Sequence, residues 1–192
     1  MNASIVIVGV GGQGTLLASR ILGALAGELN QDVKVSEVHG MAQRGGNVIT
    51  HVRIGGGVSS PLVEAGGADY LLAFELLEAL RALPYLKKDG TLIVGTQKIS
   101  PMPVITGAAG YPEDILSTLS ASCRTVSLDA LNLAREAGDV RSANLALLGA
   151  LCRLTGTDCE AWRRAIESCV PEKFLKVNLT AFELGYEEVP NA

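Results

Sequence analysis

Apolar residues along the chain alternate between two rhythms, and the changes of rhythm mark out the elements. Residues 5–8 (Ile-Val-Ile-Val) form an unbroken β-branched run, the pattern of a strand buried on both faces. Glycines follow at once. Beyond them Leu17, Ile21, Leu25 and Leu29 fall one turn apart on a single helical face. A second strand is predicted over residues 33–36, then a glycine-containing loop over residues 37–46. Residues 47–54 alternate, with Val48, Thr50, Val52 and Ile54 on one face and Ile49, His51 and Arg53 on the other.

Residues 70–74 read as another buried strand, leading into a helix from Glu75 to about Leu83 that Pro84 ends. Asp89-Gly90 reads as a turn into a strand at residues 91–94. Pro101, Pro103, Gly107, Gly110 and Pro112 make residues 100–112 an extended connector, with room for a short strand at Val104-Ile105. A strand follows at residues 124–128. The remainder has helical periodicity: residues 130–137, 145–154, 158–169, and a last helix opened by Pro171 in its first turn.

Strands alternating with helices predict an α/β chain: a three-layer, Rossmann-like sandwich with a mostly parallel sheet and a helical C-terminal third. At 192 residues it is expected to form one domain over residues 1–192. Composition sharpens this picture. Charged residues are 19% of the chain, below the roughly 25% of a typical globular domain, and the mean hydropathy is +0.30. A membrane segment, a large core or surfaces covered by other chains could each account for that. The apolar run at residues 145–152 has Arg141 and Arg153 close on either side. A spanning helix needs about 20 apolar residues, so no membrane is expected and partner subunits become the favoured explanation.

Net charge is −4 and aromatic residues are 4%, which argues against nucleic acid as a partner. The start of the chain lacks a charged-then-apolar signal segment, so the cytoplasm is the expected compartment. Cys123, Cys152, Cys159 and Cys169 show none of the clustered spacings that hold zinc or iron–sulfur clusters. No metal site is expected on this chain, and Cys152 reads as a core residue.

Gly9-Val10-Gly11-Gly12-Gln13-Gly14 satisfies G-x-G-x-x-G between a strand and a helix. Glycine there permits a tight turn, close backbone approach to a ligand and helix-on-sheet packing. The helix start then offers free N–H groups to an anion. Gly9, Gly11, Gly12, Gln13 and Gly14 are therefore the candidate cofactor-binding residues, although the same glycines serve a loop that only packs a helix on a sheet. Glu37 stands near the spacing at which a dinucleotide fold reads the ribose with a carboxylate. Against NAD, only one such unit is present. Glu37 also opens a dense polar stretch, Glu37-Val38-His39-Gly40-Met41-Ala42-Gln43-Arg44-Gly45-Gly46, that ribose recognition does not require.

The GVGGQG loop, the SEVHGMAQRGG block at residues 36–46 and the strand ending His51-Val52-Arg53 together resemble the gamma-type domain of the 2-oxoacid:ferredoxin oxidoreductases. The branch they most resemble is the small (beta) subunit of indolepyruvate oxidoreductase. The resemblance continues through residues 73–94, Asn144 with Leu148-Gly149-Ala150, and residues 173–187, covering nearly the whole chain in order.

The resemblance implies that thiamine diphosphate and iron–sulfur clusters are held by a larger partner subunit. Carbon dioxide leaves the 2-oxoacid there, electrons pass to ferredoxin, and the acyl group goes to coenzyme A. This chain would hold none of these groups alone and would not act alone. It would complete the region where substrate or coenzyme A meets the thiamine site, and would touch ferredoxin at most indirectly. Glu37, His39, Gln43, Arg44, Gly45 and Gly46 are the candidate substrate, coenzyme A or partner loop. Arg44 is the group to pair with a carboxylate or phosphate. The His-Gly-Met form of this loop leans toward the arylpyruvate branch, since the pyruvate and 2-oxoglutarate members carry a proline- and glutamate-containing version.

Other residues have plainer readings. Asn144 is expected to cap the helix that follows, His51 to be structural, and Glu75 and Glu78 to lie on a solvated helix face. His39 could orient a ligand or bond its own backbone. No nucleophile–base arrangement stands out, as befits an accessory subunit. A free-standing nucleotide-binding or sensor module remains the alternative.

Overall fold

The computed structural model describes residues 1–40 and 46–190, with His39 by its backbone alone. In chain order the elements are β1 (Ala3–Val10), α1 (Thr15–Glu28), β2 (Asp32–His39), β3 (Asn47–Gly55), β4 (Ala68–Ala73), α2 (Leu76–Ala82), β5 (Leu86–Gly95), α3 (Met102–Ile105), α4 (Ile115–Ser122), β6 (Arg124–Leu128), α5 (Ala130–Ala137), α6 (Ala143–Thr155), α7 (Cys159–Cys169) and α8 (Glu172–Glu188). No helix among the described residues is long and apolar enough to cross a membrane.

The strands form one sheet in the order β2-β3-β1-β4-β5-β6. β1–β4, β4–β5 and β5–β6 are parallel, whereas β3 runs antiparallel to both β1 and β2. β1, α1 and β2 thus form a crossover unit whose two strands point the same way, with β3 inserted between them.

Side-chain alternation on β1 splits the interior in two. Ile5 and Ile7 face a layer containing α1, α5, α6, α7 and α8, where Ile21, Leu148 and Trp162 are fully buried. Val6 and Val8 face α2 and α4, against Leu77 and Leu119. The result is the three-layer sandwich that the alternating strands and helices predict. α6 is the helix at its centre, since residues 144–152 are buried without a break. A helix apolar all round needs neighbours on every side, and α6 finds them in β5, α1, α5 and α8.

Several local expectations give way. β2 runs on to His39, so Glu37 and His39 belong to a strand and not to a loop; Glu37 sits opposite Thr50 and His39 opposite Val48. Asp89-Gly90 makes no turn, because β5 continues through it from Leu86, and an irregularity opposite Ala68 and Tyr70 absorbs the extra residues. Val104-Ile105 ends a single helical turn, α3, opened by prolines at its start, where a missing N–H costs nothing. α4 has no counterpart in the sequence reading. Its serines are weak helix formers, but Ile115 and Leu119 lie one turn apart and anchor it to the core.

His51 has the structural role expected of it. Its Nδ1 accepts a hydrogen bond from the Val63 N–H at 3.2 Å, and its ring meets Tyr85 edge-on at 5.5 Å. Burial pushes its pKa below the ordinary value. A histidine depressed in the folded state binds fewer protons than in the unfolded chain. Its contribution to stability is therefore present above the unfolded value, about 6.5, and is lost as pH falls from there through the folded value. Urea titrations of the wild type and His51→Gln are expected to diverge in pH dependence over that interval. Parallel profiles would remove His51 as a source of acid sensitivity.

Candidate functional site

The glycine loop is closed by its own glutamine. Gln13 Oε1 accepts from the Val10 N–H at 2.7 Å, and its Nε2 donates to Phe74 O at 3.1 Å and to Gln97 Oε1 at 2.9 Å. One side chain thereby joins the carboxyl ends of β1, β4 and β5. Gly9 allows this, since a Cβ there would lie 2.9 Å from Gln13 Oε1 and 3.2 Å from Phe74 Cβ. Gly14, at φ 85°, is the N-cap of α1, and a Cβ on it would lie 2.6 Å from the Asn144 amide nitrogen. Gly12 takes φ 95°, where L side chains are strained. The Gly11 N–H donates to Gly46 O at 3.0 Å and so ties this loop to the far end of the second polar stretch.

Asn144 is not the cap expected of it. It follows Ala143 inside α6, whose N-cap is Ser142. Its Nδ2 instead donates to Gly14 O at 3.3 Å, 130 positions away in sequence. Its Oδ1 is buried and has no partner. An unpaired buried acceptor is costly, and here it borders a cavity of about 190 Å³ lined also by Gly12, Gln13, Thr96, Gln97 and Arg141. The cavity lies beyond the carboxyl ends of β1 and β4, where α1 and α2 depart to opposite faces of the sheet. That is the switch point at which open α/β sheets bind ligands. At its rim the Asp139 carboxylate orients Arg141, whose Nε donates to Oδ1 and Oδ2 at 3.0 Å and whose Nη2 donates to Oδ2 at 2.6 Å. Hydrogen bonds from that guanidinium and from the Arg141 N–H hold the Asp139 carboxyl down at about 2.

Glu37 stands elsewhere. Its Oε2 accepts from Thr50 Oγ1 at 3.0 Å on β3, and β3 separates its strand from β1. Two strand spacings amount to roughly 10 Å, so the strand adjacency behind the dinucleotide fingerprint is absent. Gln43, Arg44 and Gly45 lie outside the described residues, as does the His39 side chain. Gly46 borders a second, mostly apolar cavity of about 480 Å³, with Val10, Leu77, Ile99, Met102 and Ile105 among its walls. The two polar stretches therefore meet at the Gly11–Gly46 bond, with a cavity on either side of it.

Glu75 and Glu78 are not on a solvated face. Both are buried, at 1% and 5% exposure. Glu75 caps α2 by accepting from the Glu78 N–H at 2.9 Å, and it also accepts from the Ile99 N–H at 3.0 Å and the Tyr111 hydroxyl at 2.5 Å. Glu78 pairs with Arg81 at 2.6 Å. Burial raises the Glu78 pKa, and Arg81 offsets part of that rise. Glu75 thus holds the connector between β5 and β6 in place, and Glu78 serves α2 itself through Arg81. Sequence reading missed Gln97, Arg141 and the inward role of Asn144. The one available signal for Asn144 was its position inside an otherwise apolar helical run.

Among the described residues no group of three or more histidine, cysteine or acidic side chains could hold a metal ion. The profile of the pyruvate ferredoxin/flavodoxin oxidoreductase family matches residues 4–188. Indolepyruvate oxidoreductase subunit IorB of Pyrococcus horikoshii is 43% identical over 95% of this chain and 93% of its own length. The subunit of that name from Thermococcus kodakarensis is 42% identical over the same shares. Among solved structures, the gamma subunit of a keto/oxoacid ferredoxin oxidoreductase from Geobacter sulfurreducens PCA superposes with a TM-score of 0.72, at 28% identity over 97% of each chain. The chain therefore belongs to the pyruvate ferredoxin/flavodoxin oxidoreductase family, as a subunit of a 2-oxoacid:ferredoxin oxidoreductase.

Proposed function

We propose that this chain is the small subunit of an indolepyruvate:ferredoxin oxidoreductase, inactive by itself and completed by a larger subunit that carries thiamine diphosphate and the iron–sulfur clusters. The observation that carries the reading is the switch-point cavity, with its preset glycine loop and the unpaired Asn144 Oδ1 on one wall. The names of the relatives at 43% and 42% identity support indolepyruvate as the 2-oxoacid.

In the assembled enzyme the partner's thiamine group supplies the decarboxylation, ferredoxin takes the electrons, and coenzyme A takes the acyl group. This chain's part is binding and orientation. The N–H groups that open α1 behind Gly12 and Gln13 suit an anionic group, and Asn144 Oδ1 accepts from an N–H or O–H. Coenzyme A offers both kinds of group. We assign residues 43–46, with Glu37 and His39, to contact with the partner or the substrate, and Arg44 to pairing with a carboxylate or phosphate. The cytoplasm is the proposed compartment.

The test is 2-oxoacid-dependent reduction of a viologen dye by this chain, by its larger partner and by the two together. Activity is expected in the mixture alone, with indolepyruvate the preferred substrate. A partner fully active without this chain would sink the subunit reading and restore the glycine loop as an independent nucleotide site. In the same assay Arg44→Ala is expected to raise KM for the 2-oxoacid or coenzyme A by about 10- to 100-fold, the equivalent of one lost charge-assisted contact. Unchanged KM values for both would take Arg44 out of the contact.

A further inference from the structure

Away from the glycine loop, two of the four cysteines stand together. Cys152 lies in the last full turn of α6 and is completely buried, while Cys159 is exposed as the first residue of α7. Between them Gly156 takes φ 60° at the C-cap of α6, which turns the chain back sharply, and Asp158 caps α7 by accepting from the Glu160 and Ala161 N–H groups at 3.2 Å. The two sulfurs are left 3.7 Å apart. A disulfide needs about 2 Å, so a closure of under 2 Å by side-chain rotation would join them.

We propose that Cys152 and Cys159 form a dithiol modification site that a small hydroperoxide converts into a disulfide joining α6 to α7. Access is one-sided. Cys159 borders a surface hollow of about 90 Å³ with Arg163, Phe182 and Tyr186 in its walls, and so meets the oxidant first. The Cys159 sulfur attacks the peroxide, the O–O bond breaks, and one oxygen leaves as water or alcohol while the other remains on sulfur as a sulfenic acid. Cys152 then attacks that sulfur. The S–O bond breaks, the departing hydroxide takes the Cys152 proton, and water leaves as the disulfide forms. Two thiols are oxidised by two electrons and one peroxide is reduced.

Cys152 suits the second, resolving position. Burial first, and the neighbouring Cys159 next, push its thiol above the ordinary range, so it stays protonated and inert until a sulfenic acid stands beside it. Cys123 and Cys169 have other neighbours: Cys123 lies 3.4 Å from Thr125 Oγ1, and Cys169 lies 3.6 Å from Ser168 Oγ.

The chain is treated with hydrogen peroxide under native conditions, its remaining thiols are alkylated, and the digest is analysed by mass spectrometry with and without dithiothreitol. Two of the four thiols should disappear and return with dithiothreitol, and the linked peptide should contain Cys152 and Cys159. Cys159→Ser, a change at an exposed site, should leave Cys152 alkylatable after the same treatment. Cys152→Ala should leave Cys159 trapped as a dimedone-reactive sulfenic acid with no internal link. The proposal is overturned if Cys159 goes to sulfinic acid while Cys152 stays free. It is equally overturned if the thiols are untouched, or if the links formed join two chains or involve Cys123 or Cys169.

Discussion

Alanine at Gly185 or Gly149 will cost this chain about 3 kcal/mol of stability, although both positions are helical and alanine is the better helix former by about 1 kcal/mol. The reason is the crossing of α6 and α8. A Cβ on Gly185 would be driven into the Ala146 carbonyl, only 2.6 Å from the Ala146 Cα. A Cβ on Gly149 would meet the Phe182 carbonyl and lie 2.7 Å from the Tyr186 N–H. Both obstacles are backbone, which no change of rotamer moves, so the helices must part. Their separation would open the packing of Leu148, Leu151 and Phe182, which are buried beside it. Gly27→Ala in α1 is the matched control, because nothing lies within 4 Å of the added methyl group, and a gain of up to about 1 kcal/mol is expected there. Urea midpoints read all three. If Gly185→Ala and Gly27→Ala shift in the same direction, the close crossing of α6 and α8 is wrong.

The second large effect belongs to Glu75. Removing its side chain in Glu75→Ala takes away the α2 cap and two further acceptor contacts, on Ile99 and Tyr111, from a site exposed by only 1%. A lost cap costs about 1 kcal/mol, and bonds to a charged acceptor about 1.5 to 3 each before relaxation. About 3 to 4 kcal/mol in total is expected. The connector between β5 and β6 should also become the first segment cut by protease, since Glu75 is what holds its backbone at Ile99 and its ring at Tyr111. Burial and the Glu75 bond raise the Tyr111 hydroxyl above its ordinary range, so at neutral pH it stays the donor in that bond. Glu75→Gln keeps an acceptor and should lose less than half as much. A Glu75→Ala variant with wild-type stability and cleavage pattern would reduce the carboxylate to a surface feature, as the sequence suggested.

The parts of the fold legible in the sequence are those where one face of an element decides its fate. Val48, Thr50, Val52 and Ile54 announce β3 by alternation, and all four are buried. Ile5–Val8 announces a strand covered on both sides. What the sequence could not convey is where a strand inserts. The polar stretch from Glu37 reads as loop because a charged residue and a histidine close together look solvated. In the sheet they belong to β2, an outer strand exposed enough to carry them. Glu75 was misread for the opposite reason: a carboxylate one turn from another implies water, unless backbone N–H groups replace that water, and partners at Ile99 and Tyr111 are invisible to local periodicity.

The glycine loop shows the same division. Its position between β1 and α1 follows from pattern and composition. The contact of Asn144 with Gly14 depends on α6 passing over the loop, a relation between residues 130 positions apart that no spacing rule encodes.

The place of β1 in the sheet bears on how the chain folds as it is made. β1 is synthesised before both strands that flank it, β3 and β4, and well before α8, the helix that packs on α6. At about 5–20 residues per second, roughly 10 to 40 seconds separate the emergence of the central strand from that of its final cover. In the first part of that interval, before β3 and β4 follow, Ile5, Val6, Ile7 and Val8 have an apolar surface to hide and too few partners to hide it. The sheet therefore cannot close around β1 until β3 and β4 have followed it, and the packing of α8 on α6 comes later still.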